Sequence, residues 1–437
     1  MTSTALSSLV LCFLLANTIN AWGHSGSIVS GPHLHQGTAI FPESLLFPTF
    51  ASFQTTSDSS SSSLYVPIHG VRLQRHPKTA NTHLQRLFLF TFRLFWRPRS
   101  PADELSLKYR FSYFFASVLS KDTMPNLVVD GIYPVHNNSS FVGKNGHFET
   151  SLTLPAHTYP PGSILNVTHY DPIANQTFSG RVHVYSPSGY SIITDIDDTV
   201  KDTRCIAPSQ FFRMVYQRKY NPVPGMPALF QHLRRTLAPP HAPNDVAFHY
   251  VSGTPYQLFP ILDEFIQRSG LPLGPIQLGK FRFRDPQTIV NVMRFEKIKI
   301  WETERVVHAY PNRSLLLFGD TGQRDAFAYA QLMRKDPQGH RYQCAFIKLL
   351  QGVNPEKERR LNSVAKMEKA FNGVARRRWY LFRDPEELLT VDIKGGRCKP
   401  QGVDDEDVGG HQPLRPFHLP PDEDAPLPPT EDPETYA

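Results

Sequence analysis

Two hydrophobic rhythms divide this chain near residue 187. Before it, apolar residues come in short runs: LLFPTFASF from Leu45, LYVPIHGVRL from Leu64, NLVVDGIYPV from Asn126, GHFETSLTLP from Gly146, GSILNVTHYD from Gly162 and GRVHVYSPSG from Gly180. Pro, Gly and Asn punctuate them at fairly regular intervals, the grammar of antiparallel strands, so 43–186 is expected to form a β-rich, sandwich-like domain. His83–Arg99 interrupts the pattern with large apolar residues and four arginines. It reads either as an amphipathic membrane-surface segment or as a core element flanked by solvated arginines, the second being favoured.

After Tyr190 the strand runs SIITDID, FHYVSG, SLLLFGD and QCAFIKLL alternate with helical stretches at Met226–Leu237, Pro255–Arg268, Glu296–His308 and Asp325–Lys335. This βαβ rhythm predicts, over 187–395, an α/β domain whose mostly parallel sheet carries helices on both faces and binds ligands beyond its carboxyl ends. Residues 22–42 read as a linker and Ser59–Ser63 as a flexible serine loop. The Pro-rich acidic stretch 396–437 buries too little apolar surface to offset its ordering entropy and is expected to be a disordered tail.

At 437 residues the chain has room for two ordinary domains. A hydrophobic fraction of 40% with 12% aromatics supports packed cores rather than wholesale disorder. The net charge of +7 conceals an asymmetry. Residues 401–437 carry ten acidic side chains and one basic, leaving 45 basic against 29 acidic elsewhere, a balance of +16. A basic body suits phosphate esters, an anionic membrane surface or nucleic acid, and charge alone does not choose among them.

Cys12, Cys205, Cys344 and Cys398 form no CxxC pair, which argues against a zinc ribbon or a redox dithiol. Without the N-terminus three remain, an odd number that argues against a disulfide framework. Residues 1–21 place Ala21 after the apolar core Leu9–Ala16, the pattern of a signal peptide. Sequons at Asn137, Asn138, Asn166, Asn175 and Asn312 are compatible with a glycoprotein. The expected location is the secretory pathway or outside the cell if the leader is cleaved, the alternative being a cytoplasmic protein peripheral to membranes.

The chemistry concentrates at four places. Asp195-Ile196-Asp197-Asp198-Thr199 follows a strand, and carboxylates crowded at a strand end are costly unless a cation sits among them. One of Asp195 and Asp197 can attack phosphorus while the other serves as acid and base. Thr199 can donate to a phosphoryl oxygen. In YVSGTP, Thr254 reads as an N-cap and Pro255 as the first helical residue, which leaves Ser252 facing a phosphate at the positive helix end. Lys299, with Lys297 as competitor, lies on the helix before SLLLFGD and can neutralise charge. GDTGQRD supplies Asp320 as a direct Mg²⁺ ligand, with Asp325 binding through water or orienting Lys299.

In this order the set resembles the haloacid dehalogenase (HAD) superfamily: DxDxT, hydrophobic-Ser, Lys, GDxxxxD. Within it, TDIDDTVKDT, YVSGTPYQLFP and LLLFGDTGQRD look like signatures of the fungal actin-patch phosphatidate phosphatase family. PTFA at 48–51 and VPIHG at 66–70 look like its amino-terminal domain. The likeness covers 43–350 and is strongest over 186–330. It implies a HAD-like Rossmannoid sheet, Asp195 as nucleophile and Asp197 as acid/base. Thr199, Ser252 and Lys299 would hold phosphate. The Mg²⁺ site would comprise Asp195, the Asp197 main-chain carbonyl, Asp320 and Asp325. Gly253, Ile298 and Lys348 depart from the residues usual at their positions.

The implied reaction turns phosphatidate and water into diacylglycerol and phosphate. The modest intervals between motifs leave no space for a large cap domain, so an open pocket for phosphatidic acid or another lipid phosphate is expected. The implied partners are that lipid and an anionic membrane surface, not nucleic acid. PLPP around Leu427 adds a site for a proline-motif-binding protein, or else a linker-like tail. Competing readings are a phosphatase of soluble phosphomonoesters or phosphoproteins, and a non-catalytic interaction module.

Overall fold

The computed structural model describes residues 41–55, 62–75, 83–118, 126–135, 141–142, 146–172, 174–279 and 295–403. The leader, most of the linker, Asn137 and Asn138 lie outside them. Ser62 and Ser63, expected in a flexible loop, already belong to a strand.

Among the described residues the first sheet has ten strands. They are β1 (Phe41–Phe47), β2 (Thr49–Thr55), β3 (Ser62–Arg75), β4 (Ser117–Val118), β5 (Leu127–Val129), β6 (Tyr133–Pro134), β7 (Phe141–Val142), β8 (His147–Pro155), β9 (Ile164–Asp171) and β10 (Gln176–Val184). Pairing is antiparallel except between β10 and β2, which run parallel. Between β3 and β4 stand two helices, α1 (His83–Phe95) and α2 (Pro101–Phe114), the first within the stretch His83–Arg99 that interrupts the strand pattern. In α1, Leu89 and Phe92 are buried at helical spacing. Ser100 caps α2 by accepting from the Asp103 amide at 3.1 Å, with Pro101 following it. That stop-and-start signal is in the sequence. The aromatic text around it satisfies either period, which is why the helices do not announce themselves.

The second sheet comprises β11 (Ser188–Thr194), β12 (Ala247–Pro255), β13 (Ile276–Gly279), β14 (Asn312–Asp320), β15 (Tyr342–Lys348) and β16 (Trp379–Phe382), in the order β13-β12-β11-β14-β15-β16. Every pairing in it is parallel, as the βαβ rhythm predicts. The strands are apolar on both sides because both sides are covered. Ile192, Phe248, Leu316 and Phe346 face one core. Ile193, Ala247, Leu317 and Ile347 face the other.

Seven helices accompany this sheet among the described residues: α3 (Pro208–Tyr216), α4 (Met226–Leu237), α5 (Phe259–Arg268), α6 (Phe295–Ala309), α7 (Asp325–Arg334), α8 (Pro355–Leu361) and α9 (Val364–Ala370). Helices α4 and α5 pack on the first face, α4 through the stripe Met226, Leu229, Phe230, Leu233 and Leu237. Val306 of α6, Tyr329, Leu332 and Met333 of α7 and Met367 of α9 cover the second. Pro255 is not the first residue of a helix: β12 runs through it, a short 3-10 turn follows, and α5 begins at Phe259.

The two sheets share their cores. Phe47 packs on Phe259 with ring centres 4.9 Å apart, and Phe50 sits edge-on to His249 at 5.2 Å.

Cys344 and Cys398 form a disulfide, with Cα atoms 5.5 Å apart across 54 residues of sequence, which corrects the argument from odd cysteine number. Parity says nothing about which cysteines the fold makes neighbours; here one bridge and a free Cys205 account for three. The same bridge shifts the expected tail. Cys398 and Lys399 are buried, so the chain stays packed past 396, and 404–437 lie outside the described residues.

Chain order places β12 and β13 on one side of β11 and β14 to β16 on the other. The carboxyl ends of β11 and β14 therefore meet where the winding reverses, the crevice in which doubly wound sheets bind ligands.

Candidate active site

Asp195 is the first residue beyond β11 and Asp320 the last of β14. The Asp195 amide donates to the Phe318 carbonyl at 2.9 Å, which ties the two strand ends together. Lys299, from α6, reaches between them. Its Nζ lies 2.8 Å from Asp195 Oδ1 and also pairs with Asp325 Oδ1. Lys299 is buried whereas Lys297 is exposed, so α6 presents only the former to the site. Asp325 opens α7, and its second oxygen accepts the Asp320 amide at 3.1 Å.

Gly319 makes that approach feasible: a Cβ on it would lie 2.5 Å from Asp325 Cβ and Oδ2. Asp320 Oδ1 accepts the amides of Gly322 at 2.6 Å and Gln323 at 3.2 Å. Thr199 Oγ1, expected to donate to phosphate, is turned towards Asp320 Oδ2 at 3.4 Å.

Asp197 is held from four directions. Lys201 Nζ lies 2.8 Å from Oδ1, and Thr203 Oγ1 donates to the same oxygen at 3.0 Å. Ser252 and Thr254 donate their hydroxyls to Oδ2 at 2.9 and 2.7 Å. Ser252 thus does face the site. Thr254, expected to cap a helix, contacts the acid/base candidate instead. Asp198, at φ 61°, receives the amides of Thr203, Arg204 and Cys205 at 2.7, 2.6 and 2.7 Å and so shapes the loop.

These environments divide the carboxylates. Burial, opposed by the Lys299 cation but reinforced by Asp325 and Asp320, drives the Asp195 carboxyl well above the ordinary range. Burial with repulsion from Asp325 and Asp198 raises Asp320 to about 7. Burial also penalises the charge on Asp197, but Lys201 and the hydroxyls outweigh it and bring that carboxyl down to about 2. Asp197 is therefore ionised at neutral pH.

Asp195, Asp320 and Asp325 offer oxygens all within 4.8 Å of one another, and all three residues are buried. Hard carboxylate oxygens crowded in this way, with the repulsion that raises Asp195 and Asp320, suit a hard divalent cation.

All seven residues singled out from the sequence come together: Asp195, Asp197, Thr199, Ser252, Lys299, Asp320 and Asp325. Lys201, Thr203 and Gln323 were not singled out. Lys201 and Thr203 stand within TDIDDTVKDT, but nothing in that text separates a buried lysine from a surface one. Gln323 Nε2 lies 3.4 Å from Asp195 Oδ2 and 3.5 Å from the Asp197 carbonyl. Asp195 is 0% exposed and Asp197 is 7% exposed. Gln323 lies across the nucleophile candidate from the loop side.

Residues 190–348 match the family described as phosphatidate phosphatase APP1, catalytic domain. Every carboxylate and cation above falls within that stretch. The chain is 30% identical over 203 residues to the phosphatidate phosphatase APP1 of Saccharomyces cerevisiae, an alignment covering 44% of this chain and 32% of that protein. It is 26% identical over 215 residues to an uncharacterised protein of Schizosaccharomyces pombe, covering 48% and 31%. The chain thus spans about a third of the length of the curated relatives it matches. Through its parallel sheet and the loops at the carboxyl edge, this chain is close to the phosphatidate phosphatase APP1 family.

Proposed function

We propose that this chain is a Mg²⁺-dependent phosphatidate phosphatase of HAD type, with 187–395 as its catalytic unit. The observation that carries the reading is one buried cluster, Asp195 beside Lys299, Asp320 and Asp325, at the winding reversal of a parallel sheet. Asp195 attacks the phosphorus of phosphatidate and the bond to the glycerol oxygen breaks, leaving an aspartyl-phosphate. Asp197 takes up the proton that phosphatidate carries as its monoanion and passes it to the departing alkoxide. Ionised again, as Lys201, Ser252 and Thr254 favour, it removes a proton from the water that hydrolyses the aspartyl-phosphate. Lys299 neutralises charge at Asp195 and on the phosphoryl oxygens.

Asp195, Asp320, the Asp197 carbonyl and Asp325 would hold Mg²⁺, which supplies positive charge against the oxygens of the transferring group. Asp325 has both oxygens engaged, on Lys299 and on the Asp320 amide, so its main task is to orient that lysine. The secretory reading gains support from the buried disulfide and from the exposed sequons Asn166, Asn175 and Asn312.

The test is phosphate release from phosphatidate in mixed micelles, with and without Mg²⁺. The wild type should turn over only with the metal and Asp195→Asn should fall to background. Turnover of soluble phosphomonoesters but not of phosphatidate would overturn the substrate. Equal, background rates for both proteins would overturn the enzyme.

A further inference from the structure

Among the described residues no helix is long and apolar enough to cross a membrane. The α1–α2 hairpin nevertheless carries an unusual surface. Leu89, Phe92 and Trp96 turn inward, but Phe90, Leu94 and Phe95 are 59, 67 and 66% exposed, and Leu105 of α2 is 68% exposed. Both solvent and core sides of α1 are therefore apolar, which packing against the sheet does not require. A groove of about 440 Å³ runs between the helices, lined by Phe90, Arg93, Leu94, Arg97, Pro98 and Pro101 among others. Arg97, Arg99 and Lys108 rim the patch and are exposed. Among the described residues of the hairpin, the one acid on the outer surface, Glu104, is shared by Arg93 and Lys108. Asp103 is buried beside Arg218. The patch is thus apolar at its centre and net positive at its rim.

The hairpin is coupled to the site. Trp96 packs on Phe212 of α3 with ring centres 4.3 Å apart, and Phe111 stacks on Tyr216 at 4.9 Å. Arg110 donates to the carbonyls of Val215 and Arg218 at 2.7 and 2.6 Å. Its guanidinium lies 4.5 Å from the Tyr220 ring, whose centre is 4.2 Å from Lys201 Nζ, the partner of Asp197. Whatever α1 rests on is one helix away from the acid/base loop.

We propose that the α1–α2 hairpin docks on an anionic phospholipid bilayer. Phe90, Leu94, Phe95 and Leu105 enter the boundary between headgroups and acyl chains, and Arg97, Arg99 and Lys108 meet the lipid phosphates. Apolar burial combined with attraction to anionic lipid is the physics of interfacial helices. The charge selects this occupant: a net-positive rim around an apolar centre repels a second copy of itself and fits a negative surface. The inference takes its purpose from the lipid-phosphate reading, but it is measured without turnover.

The test is flotation of the full chain carrying Asp195→Asn with phosphatidylcholine vesicles, with and without phosphatidylserine. Binding should require phosphatidylserine and weaken with salt. Leu94→Ser with Phe95→Ser should lower it at least tenfold, and Arg97→Gln with Arg99→Gln by roughly thirtyfold, at about a kcal/mol per charge near such a surface. In the active protein both pairs should leave turnover of a soluble aryl phosphate within twofold. Equal vesicle binding by wild type and Leu94→Ser/Phe95→Ser would overturn the proposal, as would a dimer in sedimentation that this pair dissolves. Protein that hydrolyses phosphatidate in micelles yet ignores vesicles refutes the docking alone. Protein that docks through this patch yet hydrolyses no phosphatidate supports it and refutes the catalytic reading.

Discussion

Gly319→Ala puts the proposed geometry under the most direct strain. The added methyl would sit 2.5 Å from Asp325 Cβ and Oδ2, where ordinary contact begins at 3.4 Å. The Asp325 carboxylate must therefore retreat by roughly 1 Å, and a misplacement of about that size costs on the order of 10²-fold in rate. At about 1.4 kcal/mol per factor of ten, that is roughly 3 kcal/mol of transition-state stabilisation. Overpacking should lower folding stability by a further ~1–3 kcal/mol. The assay pairs phosphate release at saturating Mg²⁺ with urea unfolding, in a cycle with Asp325→Ala. Asp325→Ala removes the Oδ2 contact but keeps the Cβ one, so the double variant should lose less than the sum of the two single losses. The reasoning fails if Gly319→Ala keeps wild-type turnover, or if its loss adds in full to that of Asp325→Ala.

Two further predictions concern the scaffold. Burial, aided by Arg181, lowers His183 to about 3, and it lies among Arg181, Tyr185 and the likewise depressed His249. Above about 6.5 the ring is neutral in both states; below it the unfolded chain takes up a proton that the folded one refuses, so stability falls with pH. Between pH 7 and 5 this single site should account for about 2 kcal/mol of loss in urea unfolding, absent in His183→Leu. An equal pH dependence in the two proteins would refute the assignment. Cys398→Ser opens a loop closed across 54 residues. By chain entropy it should destabilise the protein by about 4 kcal/mol, and a reductant should make wild type and variant alike. Identical unfolding midpoints without reductant would show that the bridge does not constrain the chain.

What the sequence determined by itself was local and periodic. Apolar runs facing cores on both sides of the sheet mark β11, β12, β14 and β15 as buried parallel strands, and the stripe in α4 sets its inward face. Acids at the ends of β11 and β14 could be named because such residues are costly there without a function. The tertiary structure decided what depends on which distant segments meet. Lys201 and Lys299 differ from surface lysines only because Asp197 and Asp195 lie 2.8 Å from them. Thr254 has the composition of a helix cap, yet β12 runs past it and its hydroxyl goes to Asp197. The Cys344–Cys398 bridge likewise follows from packing around β15, which no cysteine count contains. Period and propensity act over a few residues, whereas a site assembled from four loops is defined by contacts up to 128 residues apart.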